Sequence, residues 1–203
     1  MISGATKIIG IVLAAGLSTR MGKVKPLLPW GDSMLLDKVI ENASGSKLDG
    51  LRVVLGHEAE TISGRIDFRD AEVIVNDDYQ SGLSSSLRAG LRALPDDAGG
   101  AMFLLGDQPF VAHETIDLLI TAFHRHCCAL LIPTYRGTRG NPVVLHSSIF
   151  KMVERISGDV GARVLFDGLQ DRIEEIEVAD RGILIDIDTV EHYRRYVRRL
   201  GGS

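Results

Sequence analysis

Residues 13–28 read Leu-Ala-Ala-Gly-Leu-Ser-Thr-Arg-Met-Gly-Lys-Val-Lys-Pro-Leu-Leu, a loop of small residues and cations behind an apolar run. Small side chains at Ala14, Ala15 and Gly16 let backbone N–H groups approach a ligand closely. Together with cations from Arg20 and Lys25, such a loop suits a polyphosphate. Two familiar phosphate loops are absent. There is no G-x-G-x-x-G, and five residues rather than four separate Gly16 from Gly22, with Val24 following Lys23. A surface turn with solvated charges is the plain alternative.

Carboxylates could hold a metal beside such a loop. Asp107 stands in Gly106-Asp107-Gln108-Pro109, just after the apolar run 102–105. A carboxylate at the end of a strand points into the crevice where α/β sheets bind ligands. Its hard oxygens suit Mg²⁺, which takes one or two carboxylates plus substrate phosphates. A turn aspartate before proline is the alternative. Asp186 and Asp188 lie two apart in Ile-Asp-Ile-Asp-Thr, so on an extended segment they share a face. Asp188 also precedes Glu191 by three and could instead cap a final helix.

Other sets are more ambiguous. Gly82-Leu83-Ser84-Ser85-Ser86 should open a helix, and its hydroxyls can cap orphan N–H groups, although three serines exceed capping needs. Arg139, Gly140 and Asn141 belong to a polar excursion whose plain reading is a hairpin tip. Gly158, Asp159, Gly161 and Arg163 form either an anion-tolerant turn or a helix start capped by Asp159. His57 follows a strand and should face the rim. His124, His126, Cys127 and Cys128 match no zinc spacing.

The elements that must position these residues alternate between strand and helix patterns, which predicts an α/β fold: three α/β/α layers on a mostly parallel, Rossmann-like sheet. Strands are expected at 8–13, 51–55, 73–75, 102–105, 129–132, 143–145, 173–177 and 183–187. Helices should bury Leu36, Val39, Ile40 and Ala43 behind a Ser33 cap, and run to about 66 after the second strand. Others should bury Leu83, Leu87, Leu91 and Leu94, or Ile116, Leu119, Ile120 and Phe123, with a last helix from about 189. The loops after Leu13, Leu55, Val75 and Leu105 should then converge on one rim.

The 203 residues fit one domain, 1–203, without repeat or linker. The 22 glycines exceed the usual ~7% and gather in loops. A net charge of −4 argues against a nucleic-acid partner. No apolar run approaches the roughly 18 residues of a membrane span. The start of the chain lacks a secretory layout, and the two adjacent cysteines form no disulfide framework, so a cytoplasmic location is expected. Arg194, Arg195, Arg198 and Arg199 read as the solvated face of the last helix.

The opening loop resembles the signature of the nucleotidyltransferases that act on the molybdenum cofactor. The resemblance spans nearly the whole chain, because Gly-Leu-Ser-Ser-Ser-Leu (82–87), Gly-Asp-Gln-Pro (106–109), Arg-Gly-Asn-Pro-Val (139–143), Gly-Asp-Val-Gly-Ala-Arg (158–163) and Asp-Ile-Asp-Thr (186–189) follow in order. It implies a nucleotide-diphospho-sugar transferase-like fold and CMP transfer from CTP to the terminal phosphate of the molybdenum-pterin (molybdopterin-type) cofactor. Nucleotide contacts would come from Leu13, Ala14, Ala15, Gly16, Lys25, Gly82, Ser84, Ser86, Gly106 and Asp107. Mg²⁺ would sit on Asp107 and Asp188 with Asp186 in support. Lys25 and Arg20 would neutralise phosphate charge, and the acceptor would meet Arg139, Gly140, Asn141, Gly158, Asp159 and Arg163. The Leu-Ala-Ala-Gly form resembles the cytidine-using branch; the family often has histidine at the place of Asn141. GTP, a sugar or polyol phosphate acceptor, or a non-catalytic cofactor chaperone are the alternatives, and an apo-molybdoenzyme is a possible partner.

Overall fold

The computed structural model describes residues 6–17, 21–126, 128–159, 161 and 168–200. Its first strand, β1 (Lys7–Ala14), is buried on both sides, as its near-continuous apolar run requires. Ile8, Val12 and Ala14 enter one core and Ile11, Leu13 and Ala15 the other, the period-two alternation of a strand between two layers. A short ribbon, β2 (Pro29–Trp30) with β3 (Ser33–Met34), leads into α1 (Leu35–Ser44). Then come β4 (Gly50–Leu55), α2 (Ala59–Ser63), β5 (Glu72–Val75), α3 (Leu83–Arg92) and β6 (Ala98–Leu105). The remainder is α4 (His113–Arg125), β7 (Leu130–Tyr135), β8 (Thr138–Arg139), β9 (Val143–His146), α5 (Phe150–Val153), β10 (Ile173–Glu177) and α6 (Val190–Leu200).

The main sheet runs β10-β7-β9-β6-β1-β4-β5, with β8 paired to β7. β1 is parallel to β4 and to β6, β4 to β5, and β7 to β10. Only β8 and β9 run antiparallel to their neighbours. The chain winds outward through β4 and β5, then returns to the other side of β1 as β6. That reversal opens the crevice at the carboxyl ends of β1 and β6. α1 and α4 cover one face through Leu36, Val39, Ile40, Ile116 and Leu119. α3 and α5 cover the other through Leu87, Leu91 and Val153. Gly90 lets α3 lie directly on β1: a Cβ there would stand 2.5 Å from Ile11 Cγ2.

Several local expectations change. Ser33 does not cap α1. It sits in the tight ribbon over Gly31 (φ 62°), where its hydroxyl donates to the Trp30 carbonyl at 3.2 Å. Asp37 takes over, accepting the Met34 N–H at 2.9 Å. α2 stops at Ser63, before Ile66, and α3 ends at Arg92, before Leu94. Residues 183–187 form no strand. Gly182 presses on the Phe110 carbonyl and Asp180 accepts its N–H at 2.7 Å, which curls Arg181–Leu184 into a 3₁₀ turn. Thr189 rather than Asp188 receives the His192 N–H, at 3.1 Å, at the start of α6.

Glu177 closes the β7–β8 hairpin: it accepts from the Thr134 hydroxyl at 2.7 Å and the Arg136 N–H at 2.6 Å. These bonds, Thr134 first, hold its carboxyl below the ordinary 4.5. A depressed folded-state value means stability present above the unfolded value and lost as pH falls through the folded one. Glu177→Gln therefore lowers the thermal midpoint at neutral pH. The gap to the parent narrows as pH drops below 4.5, read by thermal unfolding across pH.

Candidate active site

The loops leaving β1 and β6 are tied together, since the Gly106 N–H donates to the Leu13 carbonyl at 2.9 Å. The second strand end joins them through the His57 N–H on the Ala15 carbonyl, at 3.3 Å. Between these loops and the start of α3 lies an open cleft of about 730 Å³. Leu13, Ala14, Ala15, Gly16, Lys25, Gly82, Ser86, Gly106, Asp107, Asp159 and Asp188 all line it. Gly16 has open space where a side chain would stand.

At the mouth, the Lys25 Nζ lies 2.8 Å from Asp107 Oδ2 and 2.8 Å from Asp188 Oδ1. The side chains of Lys25, Asp107 and Asp188 are 16%, 23% and 40% exposed, so one shielded ammonium is shared by two partly wet carboxylates. Burial pulls the lysine down, but Asp107 and Asp188 outweigh it and hold the ammonium above the ordinary 10.5. A backbone bond reinforces the arrangement: the Ile187 N–H donates to the Asp107 carbonyl at 3.0 Å. Asp186 accepts the Gln108 amide at 2.6 Å. Burial, then the charges of Asp107 and Asp188, raise its carboxyl above 3.8.

The α3 end of the cleft is built around a buried amide. Asn76, just after β5, donates from Nδ2 to Ser85 Oγ at 2.8 Å and Ser86 Oγ at 3.1 Å. Its N–H reaches the Leu55 carbonyl at 2.8 Å, so Asn76 links the ends of β4 and β5 to the start of α3. Ser84 does not line the cleft; it is fully buried, next to Arg88. The turn at residues 158–159 is docked on the same helix end. The Gly158 carbonyl accepts the Ser84 N–H at 3.3 Å, and Asp159 Oδ1 accepts the Leu83 N–H at 3.3 Å. Asp159 thus serves the N-terminus of α3, where a negative charge is favoured.

Three sequence-derived candidates stand apart from the cleft. Arg139 forks onto Glu175, with Nε at 2.8 Å, Gly140 packs on Ile183, and the Asn141 N–H donates to the Ile183 carbonyl at 3.1 Å. Arg20, Arg163 and Cys127 lie outside the described residues. The His57 ring rests 6.0 Å from that of Tyr79 without lining the cleft. His124 reaches the Thr6 carbonyl and His126 pairs with Glu174, so they form no common cluster. Sequence reasoning passed over Leu17, Met21, Pro26, Tyr79, Gln80 and Leu83, which also line the cleft. It also passed over Asn76, which could have been found, since it is a polar residue at a strand's carboxyl end.

This cleft, at the switch point of a mostly parallel sheet and closed by one lysine and two aspartates, is that of a nucleotidyltransferase. Residues 10–174 match the model of the MobA-like NTP transferase domain, and the chain belongs to that family. It is 29% identical over 196 residues to nicotine blue oxidoreductase of Paenarthrobacter nicotinovorans, covering 93% of this chain and 95% of that one. It is 27% identical over 185 residues to molybdenum cofactor cytidylyltransferase of Escherichia coli strain K12, covering 90% and 92%. Rv0371c from Mycobacterium tuberculosis H37Rv shares the fold with a TM-score of 0.87 at 31% identity, covering 96% of this chain and 99% of that one. Its structure as a complex with manganese gives 0.84 at 29%, covering 96% and 100%.

Gly82 joins the two sides of the α3 end. Its φ is 92°, and a Cβ would stand 2.7 Å from Gly158 C and O and from Asp159 N. Gly82→Ala should cost about 1–3 kcal/mol in urea unfolding and speed amide exchange at residues 158–159. Unchanged exchange there would show that the turn does not depend on this contact.

Proposed function

We propose that the chain transfers CMP from CTP to the terminal phosphate of the molybdenum-bound pterin cofactor and releases pyrophosphate. The shared Lys25 ammonium beside a small-residue loop carries this reading, since it sets a cation and two carboxylates where a triphosphate would lie. The cytidylyltransferase relative and the Leu-Ala-Ala-Gly form of the loop support cytidine. The triphosphate would follow the backbone of residues 14–16 toward Lys25 and Gly106, with the nucleoside toward Gly82, Ser86, Tyr79 and Gln80. The acceptor would meet Gly158 and Asp159, and Arg163, outside the described residues, is a further candidate for it. Arg139, Gly140 and Asn141, expected to meet the acceptor, do not line the cleft: Gly140 and Asn141 contact Ile183 of the 181–184 turn, and Arg139 pairs with Glu175.

In this reaction a terminal phosphate oxygen of the acceptor forms a bond to the α-phosphorus of CTP. The bond from that phosphorus to the bridging oxygen breaks, and pyrophosphate carries the electron pair away. No general base is required, because the attacking phosphate is already anionic. Lys25, with Arg20, would offset charge on the α- and leaving phosphates. The donor set fits a divalent ion: oxygens of Asp107 and Asp188 already converge on one cationic atom, and hard oxygens of this kind hold Mg²⁺ with phosphates. Asp107 and Asp188 would hold it and Asp186 would support them; the bound ion supplies charge neutralisation at phosphate oxygens. The manganese complex of Rv0371c supports a metal requirement.

The test incubates the protein with the pterin cofactor, Mg²⁺ and each nucleoside triphosphate separately, and measures pyrophosphate and the dinucleotide product. Turnover is expected with CTP, lost on chelation, and reduced about 10²–10³-fold in Lys25→Ala and Asp107→Ala with the fold intact. Product formed only with GTP, or only with a sugar or polyol phosphate acceptor, would overturn the substrate assignment. Binding without pyrophosphate release, or redox turnover without it, would overturn the transfer itself.

A further inference from the structure

Behind the ion cluster lies a third apolar core, separate from the two that cover the sheet. It contains Met21, Leu28, Trp30, Leu35 and Ile187, with Phe110, Tyr193, Tyr196 and Val197 packed against it. Every segment bearing one of the three charges is anchored in it. Met21, Leu28 and Trp30 flank Lys25; Phe110 lies three residues past Asp107; Ile187 immediately precedes Asp188. α6 packs Tyr193, Tyr196 and Val197 against it. The rings of Trp30 and Phe110 are 5.4 Å apart, Phe110 and Tyr196 4.9 Å, and Trp30 and Tyr193 6.5 Å, all within the range of favourable aromatic pairs.

One exposed hydrogen bond flanks this core. The Tyr193 hydroxyl donates to the Pro29 carbonyl at 2.7 Å. Pro29 follows the Lys25–Leu27 turn and opens a ribbon of only two-residue strands. A segment with so little sheet pairing of its own needs an outside anchor to hold one ammonium within 2.8 Å of two carboxylates. Burial raises the Tyr193 phenol above 10.0, and a phenol is in any case a donor at neutral pH.

We propose that Tyr193 is a positioning residue: through its hydroxyl on Pro29 and its ring beside Trp30, α6 holds the Lys25 loop in register with Asp107 and Asp188. The assignment of this register to catalysis rests on the function proposed above; the register itself does not. A lysine displaced by a fraction of an ångström aligns phosphate charge poorly, so the loss falls on turnover more than on binding.

The experiment uses the full chain and Tyr193→Phe, which removes the hydroxyl alone, with Tyr193→Ala as a second variant. Lys25 reactivity toward an acylating reagent is read by mass spectrometry, with Lys38 and Lys151 as internal controls. Trp30 is the single tryptophan of the chain, so its emission reports on the core directly. In Tyr193→Phe, Lys25 labelling should rise about two- to tenfold, with control lysines and Trp30 emission unchanged. With CTP, kcat should fall by a similar factor and KM stay nearly constant. Tyr193→Ala should add a red shift of Trp30. Unaltered Lys25 labelling in both variants, or a lowered thermal midpoint with parental labelling and kcat, would overturn the proposal. Raised labelling in a protein whose parent shows no cytidylyl transfer would leave the positioning role standing and remove the functional reading instead.

Discussion

Lys25 is 82 residues from Asp107 and 163 from Asp188 in the chain, yet its one ammonium meets both carboxylates at 2.8 Å. Two carboxylates this near one another repel unless a cation stands between them. The position of the opening loop, the exit from β6 and the approach to α6 are therefore mutually constrained. The surrounding architecture serves that constraint. The Gly106 and Ile187 N–H groups bond to the Leu13 and Asp107 carbonyls, so the three segments are stitched through backbone before their side chains meet. Interactions of partly exposed ions are screened and modest, which is why the register needs this scaffold.

The scaffold separates two tasks. The sheet and its two cores set the crevice by topology, because β6 returns to the far side of β1. The third core sets fine alignment, because it alone touches all three charged segments. Asp180 joins the two systems, accepting from Ala112 N at 3.0 Å, Thr115 Oγ1 at 2.7 Å and Gly182 N at 2.7 Å. It thereby fixes the 3₁₀ turn ahead of Asp186 and Asp188 to the start of α4.

Much of this frame is legible in the sequence, and the reasons are local. The run at 8–13 is apolar on both faces, so it reads as a covered strand without any knowledge of its partners. The helical spacing of Ile116, Leu119, Ile120 and Phe123 likewise reads directly. Lys25 and Asp107 can be singled out because each follows a strand end. Where the reading misleads, a distant group decides. Residues 183–187 are mostly apolar and β-branched like a strand, but Gly182 against Phe110 and the Asp180 carboxylate curl the segment first. Ser84 matches its neighbours in type, yet the turn of α3 rotates it into the interior, against Arg88. Arg139 looks available for an anion until Glu175, on a neighbouring segment of the sheet, claims it. No spacing rule links Tyr193 to Pro29, because that bond depends on how α6 returns over the ribbon.

The charge balance of the cleft bears on how a nucleotide would enter. Among the described residues that line it, one lysine stands against three aspartates, Asp107, Asp159 and Asp188. A bare triphosphate would meet a surface of its own sign, and the backbone N–H groups of the opening loop supply only partial positive charge. On the proposed function, Lys25 and Arg20 would offset part of the phosphate charge, and a divalent ion held by Asp107 and Asp188 would offset more of it. The two carboxylates that repel the free anion are then the groups that receive its counterion. Their acidity would favour the metal-bound nucleotide, with Lys25 and Arg20 left to balance the charge that develops as pyrophosphate departs.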